Sequence, residues 1–172
     1  MAVAISLLPQ FAENIKNNKI THVKNFCKFD NQYDFNFLID YIESMDPKIR
    51  NTNKGDFFEI NYQVFLESKF KDFEFCLNFL RQIFKYSWDQ NDRNDIFFSF
   101  KSGAGDTHTD DEDVFIIGLN GKTIYKVFGT TTEYFEINNG DMIFIPKGIP
   151  HKVISLSSRI ILSTGFYGNR SN

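Results

Sequence analysis

Apolar positions recur at helical spacing in the first half of this chain and at strand spacing in the second, with the change near Ile96. Pro9 to Asn17 reads as a short helix, with Phe11 and Ile15 one turn apart. Asp34 to Ser44 predicts a second helix, with Leu38, Tyr41 and Ile42 on one face and Pro47 beyond its end. Phe70 to Tyr86 predicts the longest, in which Phe73, Leu77, Leu80 and Phe84 form one stripe. An aromatic stripe of this kind is core, and it is expected to pack against the outside of a barrel. Between the helices, Ile20 to Phe26 reads as a strand whose His22 is a surface or hydrogen-bonded residue. Residues 48–55 read as a polar, turn-rich loop, Phe57 to Phe65 as a loosely alternating strand, and Ser87 to Asp95 as a polar loop holding the only Trp.

From Ile96 onward the pattern predicts strands at Ile96–Lys101, Val114–Leu119, Thr123–Phe128, Tyr134–Ile137, Asp141–Ile145, His151–Leu156 and Arg159–Phe166. Short strands at regular spacing, joined by Gly, Asn and Pro turns, predict an all-β sandwich or barrel. The fold expected is therefore mainly β with a helical N-terminal half. Residues 1–95 supply a helical buttress and the first strands, and residues 96–168 a jelly-roll barrel. No linker or internal repeat divides the 172 residues, so one domain is expected.

Composition narrows the function classes. Hydrophobic residues at 42% and charged residues at 24% describe a soluble globular protein, and 21 Phe is an unusual number. The net charge is −3 and Lys and Arg are scattered, which gives nucleic acid no electrostatic footprint. Cys27 and Cys76 lack C-x-x-C spacing, so they read as two buried thiols in a reducing compartment rather than as zinc ligands or a disulfide. Met1 to Leu8 lacks the basic flank and length of a signal peptide, and no run reaches membrane-spanning length. A cytoplasmic location without membrane contact is expected. The oligomeric state stays open, a homodimer included.

The candidate chemistry lies between Gly103 and His151. Two of the chain's three histidines are here, one of them in His108-Thr-Asp110. On a strand, residues i and i+2 project to the same face, so His108 and Asp110 aim an imidazole and a carboxylate at one point. Downstream come the apolar run Val114 to Leu119, a turn signal at Asn120-Gly121, and a Pro/Gly-rich turn that delivers His151. Two histidines and one carboxylate are the ligand set that leaves positions of an Fe(II) ion open to cosubstrate and oxygen.

Two segments, FFSFKSGAGDTHTDDEDVFIIGLNGKTIYKVFG and YFEINNGDMIFIPKGIPHKVISLSSRIILSTGFYG, resemble the JmjC/cupin-type Fe(II)- and 2-oxoglutarate-dependent oxygenases, closest in motif to the bacterial ribosomal-oxygenase branch. The resemblance runs from Ile96 to Gly168. It rests on H-x-D followed by D-V-F, the glycine after the hairpin, G-D-x-x-x-I-P-x-G-x-P-H and the closing S-x-G-F. It implies a double-stranded β-helix, Fe(II) held by His108, Asp110 and His151, and 2-oxoglutarate as cosubstrate. Because halogenating relatives open the carboxylate position, Asp110 implies hydroxylation. Asp111, Glu112 and Asp113 read as a solvated rim.

The resemblance is incomplete where 2-oxoglutarate would be anchored. Thr123 stands at the family's basic position and Tyr125 at its aromatic one. A buried carboxylate without a partner is costly, so another cation must supply the charge. Lys122 would serve if a bulge turned it inward, and Arg159 would serve from the strand after His151. Lys126 has the opposite parity to Thr123. Ser99, Thr123, Tyr125, Ser163 and Thr164 are candidate hydrogen-bonding wall residues. Three functions remain open. The first is a 2-oxoglutarate oxygenase acting on a small molecule, an amino acid or a peptide side chain. The others are a metal cupin (dioxygenase or isomerase) that does not use 2-oxoglutarate, and a non-catalytic cupin binding module.

Overall fold

The computed structural model describes residues 2–3, 8–29, 33–45, 47–51, 57–61 and 71–170. Their elements, in chain order, begin with β1 (Ala2–Val3), α1 (Leu8–Lys16), β2 (Thr21–Val23), β3 (Cys27–Lys28) and α2 (Phe35–Met45). There follow β4 (Ile49–Asn51), β5 (Phe57–Asn61), α3 (Lys71–Ile83), β6 (Arg93–Ser99) and β7 (Gly103–Ala104). The last six are β8 (Asp113–Asn120), β9 (Thr123–Phe128), β10 (Thr132–Ile137), β11 (Met142–Ile145), β12 (His151–Ser155) and β13 (Arg159–Phe166). Antiparallel pairing builds a seven-stranded sheet, β2-β11-β8-β13-β6-β5-β4, and a four-stranded sheet, β10-β9-β12-β7, with β1 and β3 as a separate pair. The two larger sheets face each other as a double-stranded β-helix.

Val114 to Leu119 is continuously apolar because β8 is buried on both faces. Val114 and Ile116 point between the sheets, where they meet Tyr125, Val127, Ile143 and Ile161. Phe115, Ile117 and Leu119 point outward into a second core beneath the helices. Much of the chain's phenylalanine is used in that outer layer. Phe84 stacks on Phe115 with ring centroids 5.5 Å apart, and Phe11 meets Phe84 edge-on at 5.1 Å. The outer layer is therefore a helical buttress on the large sheet, as the stripe on the third helix predicts. No helix among the described residues is long and apolar enough to cross a membrane.

Gly118 interrupts β8 for a steric reason. Its N–H donates to the Asp141 carbonyl at 3.0 Å, and its own carbonyl accepts from Gly140 N at 2.8 Å. A Cβ there would lie 2.1 Å from the carbonyl oxygen of Asn138, which is main chain and fixed. Gly118→Ala is expected to cost on the order of 1–3 kcal/mol through this overpacking. A lower urea midpoint at unchanged m-value would show it, and an unchanged midpoint would refute it.

The N-terminal half is less helical than its periodicity suggests. Strands β2, β4 and β5 extend the large sheet at both edges. Strand β4 lies where a loop was expected, because all three of its residues are exposed and carry no alternation. Strand β6 begins at Arg93 rather than Ile96, since its polar first residues pair regularly with β13. Helix α3 runs over Lys71–Ile83, while Phe70 and residues 62–65 of the expected strand lie outside the described residues. His22 is half-buried rather than on the surface, and its Nε2 has no hydrogen-bond partner, 4.0 Å from Asp141. Both cysteines are buried and free. Burial pushes the Cys27 thiol up to about 12, which leaves it unreactive.

Candidate metal centre

The closing turn that carries His151 is fixed onto the H-x-D segment by main-chain bonds. Gly148, in the left-handed region at φ 75°, donates its N–H to the Asp110 carbonyl at 2.9 Å. His108 and His151 then exchange a pair of backbone hydrogen bonds, at 2.8 and 2.9 Å. Two residues far apart in sequence are thereby placed side by side, with imidazole centroids 4.4 Å apart.

Asp110 lies across from both rings. One carboxylate oxygen is 3.7 Å from His108 Nε2, and the other is 3.4 Å from His151 Nε2. One ligating atom from each residue falls within 4.8 Å of the others. Each Nδ1 faces a main-chain carbonyl, that of Asp106 at 3.1 Å for His108 and that of Ile149 at 3.0 Å for His151. An Nδ1–H donated to a carbonyl leaves the Nε2 lone pair free, in the tautomer that ligates a metal. Burial lowers the pKa of His151, with Asp110 opposing, so its neutral, ligating form is favoured.

The three residues border a cavity of about 490 Å³ between the sheets. At one end stands Arg159, only 1% exposed. Its Nε donates to Ser155 Oγ at 2.5 Å, and its guanidinium lies 4.9 Å from the centroid of the Phe57 ring. Burial pulls its pKa down, and the hydrogen-bonded Tyr125 opposes that shift. Nη1 has no hydrogen-bond partner. Ser99 supports Ser155 through a 3.1 Å hydroxyl contact, and buried Thr123 pairs with Ser155 across the strands.

Of the residues expected to line the site, Arg159, Tyr125 and Ser163 border the cavity, and Ser99 and Thr123 are buried around Ser155. Lys122 and Thr164 are not brought there. Strand β9 runs in regular register from Thr123 onward, so no bulge turns Lys122 inward, and its ammonium pairs with Glu136 at 3.1 Å. Thr164 has the outward parity on β13, where its hydroxyl donates to Asn94 Oδ1 at 2.6 Å. Lys126 is also outside, over the rings of Phe128 and Tyr134.

The expected acidic rim needs a larger correction. Asp111 is exposed, but Glu112 is 4% exposed and lines the cavity. Half-buried Asp113 accepts from Tyr86 Oη at 2.7 Å and from the Lys147 N–H at 2.9 Å, which ties the His151 turn to the outer core. Arg93 and Asp95, which line the cavity, were not anticipated, nor was Ser155, which holds Arg159 from behind. Ser155 has the same parity as His151 along β12, which was the available signal. Arg93 and Asp95 were hidden in what read as a polar loop. Arg93 bridges Asp95 at 2.9 Å and Glu112 at 2.9 Å.

Burial pushes the Asp95 carboxyl up to about 6, with Arg93 pulling the other way. A raised folded-state pKa means that the folded protein holds this proton more tightly than the unfolded chain. The contribution is full below the unfolded value and is lost as pH rises through about 6. Wild-type stability relative to Asp95→Asn should therefore fall between pH 4 and 7, by at most about 3 kcal/mol for a shift of roughly two units. Urea titrations of both proteins across that range would show it, and a difference independent of pH would refute it.

The fold is that of a cupin-type double-stranded β-helix, with two histidines and one aspartate bordering its cavity. Among solved structures, the chain is similar to the ribosomal oxygenase YcfD of Escherichia coli, with a TM-score of 0.64 at 19% identity over 95% of this chain and 52% of that one. It is also similar to YcfD in complex with cobalt and 2-oxoglutarate, with a TM-score of 0.61 at 17% identity over 94% of this chain and 52% of that one. An RmlC-like cupin from Shewanella frigidimarina aligns with a TM-score of 0.50 at 12% identity, over 73% of this chain and 88% of that one. The chain thus spans about half the length of the ribosomal oxygenases it matches. No protein-family model and no curated protein matches it.

Proposed function

We propose that this chain is an Fe(II)- and 2-oxoglutarate-dependent oxygenase that hydroxylates a small molecule, an amino acid or a peptide side chain in the cytoplasm. One observation carries the reading. A single cavity joins the His108, Asp110 and His151 cluster to a buried arginine, Arg159, that has one nitrogen unpartnered. Two neutral imidazoles and a carboxylate suit Fe(II) and leave it open positions. A buried cation with one unpartnered nitrogen suits a carboxylate brought in by a ligand.

When bound, iron would use O2 to convert 2-oxoglutarate to succinate and CO2, one oxygen atom entering succinate and the other the hydroxyl of the substrate. The chain's own residues bind and orient. His108 and His151 present Nε2 because their Nδ1 atoms are held by carbonyls. Arg159 would receive the distal carboxylate, with the Tyr125 hydroxyl beside it and Ser155, Ser99 and Thr123 supporting the guanidinium from behind. The apolar walls, Val114, Ile116, Val153 and Ile161, keep that ion pair away from water.

The cobalt and 2-oxoglutarate complex of YcfD, on the same fold, supports this reading. Succinate formed from 2-oxoglutarate by the iron-loaded protein in oxygen, and lost in His108→Ala, is the expected result. Iron binding without 2-oxoglutarate binding would favour a metal cupin of the dioxygenase or isomerase kind, a reading to which Thr123 at the family's basic position lends weight. Absence of metal binding would leave a non-catalytic module.

A further inference from the structure

Arg159 is not the only charged side chain of the cavity with an unused buried atom. Asp95 is 2% exposed, and its Oδ1 has no hydrogen-bond partner. Asp95 pairs with Ser163 across β6 and β13, and Ser99 pairs with Arg159. Four residues along β13 separate the two positions, about 13 Å at strand rise. The cavity therefore has a cationic end at Arg159 and a second polar end at Asp95.

The Asp95 end carries excess negative charge. The Arg93 guanidinium is shared between Asp95 and Glu112, one cation facing two carboxylates. A neutral donor would satisfy Oδ1 but leave the charge uncompensated in a largely apolar enclosure, so a cation is the better complement. The type of cation follows from which oxygens are free. Asp95 Oδ2 is already bound to Arg93 Nε at 2.9 Å, so a single oxygen remains. A guanidinium binds best through two parallel bonds to both oxygens of a carboxylate, and the Arg93 contact leaves only one of them unbound. An ammonium is a compact donor that can give one proton to Oδ1 and another to the Ser163 hydroxyl, which lines the same wall.

We propose that the substrate of this site carries a primary ammonium group, docked on Asp95 Oδ1 beside Ser163, as a free alkylamine or a lysyl side chain. The ammonium takes its meaning as a substrate group from the oxygenase reading. Its binding to Asp95 does not depend on iron or 2-oxoglutarate.

Calorimetric titration tests the docking directly, on the intact chain with and without Mn(II) and 2-oxoglutarate. The probes are n-pentylamine, 1-pentanol and n-pentylguanidine, then a short peptide with a central lysine and its norleucine counterpart. Pentylamine is expected to bind at least about tenfold more tightly than the alcohol or the guanidine. Comparing the lysyl peptide with pentylamine identifies the source of the ammonium. Asp95→Asn should abolish the preference for amine while 2-oxoglutarate affinity stays unchanged. Equal binding of amine and alcohol by the wild type would overturn the proposal even if Asp95→Asn fails to fold. So would tighter binding of the guanidine, or a preference that survives in folded Asp95→Asn. Amine preference without succinate formation would reject the oxygenase reading alone. Succinate formation without amine preference would reject only the ammonium site.

Discussion

His108→Ala is expected to weaken divalent-metal binding by more than about a hundredfold while leaving the fold unchanged. The magnitude follows from a lesser loss: removing a residue that only orients a ligand already costs 10–100-fold, and His108 would be a ligand itself. The selectivity follows from its position. The His108 side chain is half exposed, and its part in the fold is made through backbone bonds to His151, which alanine keeps. His151→Ala should lose metal equally, but it also empties a buried position and will lower stability. Cobalt(II) titration followed by ligand-field absorption, with urea midpoints measured in parallel, separates the two effects. An affinity for cobalt within threefold of wild type in folded His108→Ala would remove this residue from the metal site.

Arg159→Met is expected to move two quantities in opposite directions. Affinity for 2-oxoglutarate should fall at least about thirtyfold, since losing one partner of a buried charge pair costs roughly 2–5 kcal/mol. Stability of the unliganded protein should hold or rise. The guanidinium is 1% exposed, its Nη1 is unpartnered, and no carboxylate neutralises it among the contacts described above. Replacing a poorly compensated buried charge with an apolar side chain of similar length is commonly neutral or favourable. Lys122→Ala is the control, because that ammonium is exposed and paired with Glu136, and 2-oxoglutarate affinity should not change. Calorimetry on the manganese-loaded proteins measures the first quantity and urea unfolding the second. Unchanged 2-oxoglutarate affinity in Arg159→Met would place the anchor elsewhere.

The convergence of His108, Asp110 and His151 was legible in the sequence because metal-site chemistry restricts residue type and spacing together. His108 and Asp110 share a strand face by parity, and the Pro/Gly turn before His151 has few other uses. The core strands were legible for a similar reason, since burial on both faces of β8 leaves an unbroken apolar run. Arg93, Asp95 and Glu112 were hidden because local polarity ordinarily means solvent. The burial of Asp95 and Glu112 depends on the Arg93 bridge between β6 and the start of β8, which no local pattern encodes. Lys122 was misplaced by the assumption of a bulge, and the regular register of β9 removes it. Strand β2 lies within the expected Ile20 to Phe26 strand, whereas β4 has three exposed residues, too few for a period to show.

The backbone pairing of His108 with His151 also bears on the order in which the site can form. His108 and Asp110 are neighbours in the chain, so their two ligating groups are close before any sheet exists. His151 joins them only when the intervening strands have closed and the turn has docked on Asp110. Contacts of such sequence separation wait on the closure of long loops. A nascent chain therefore offers an ion a weak two-ligand grip, and the third ligand arrives only with the finished barrel mouth. Tight metal retention would thus be a property of the completed fold, and a chain stalled before the His151 turn closes would hold an ion through two side chains at most.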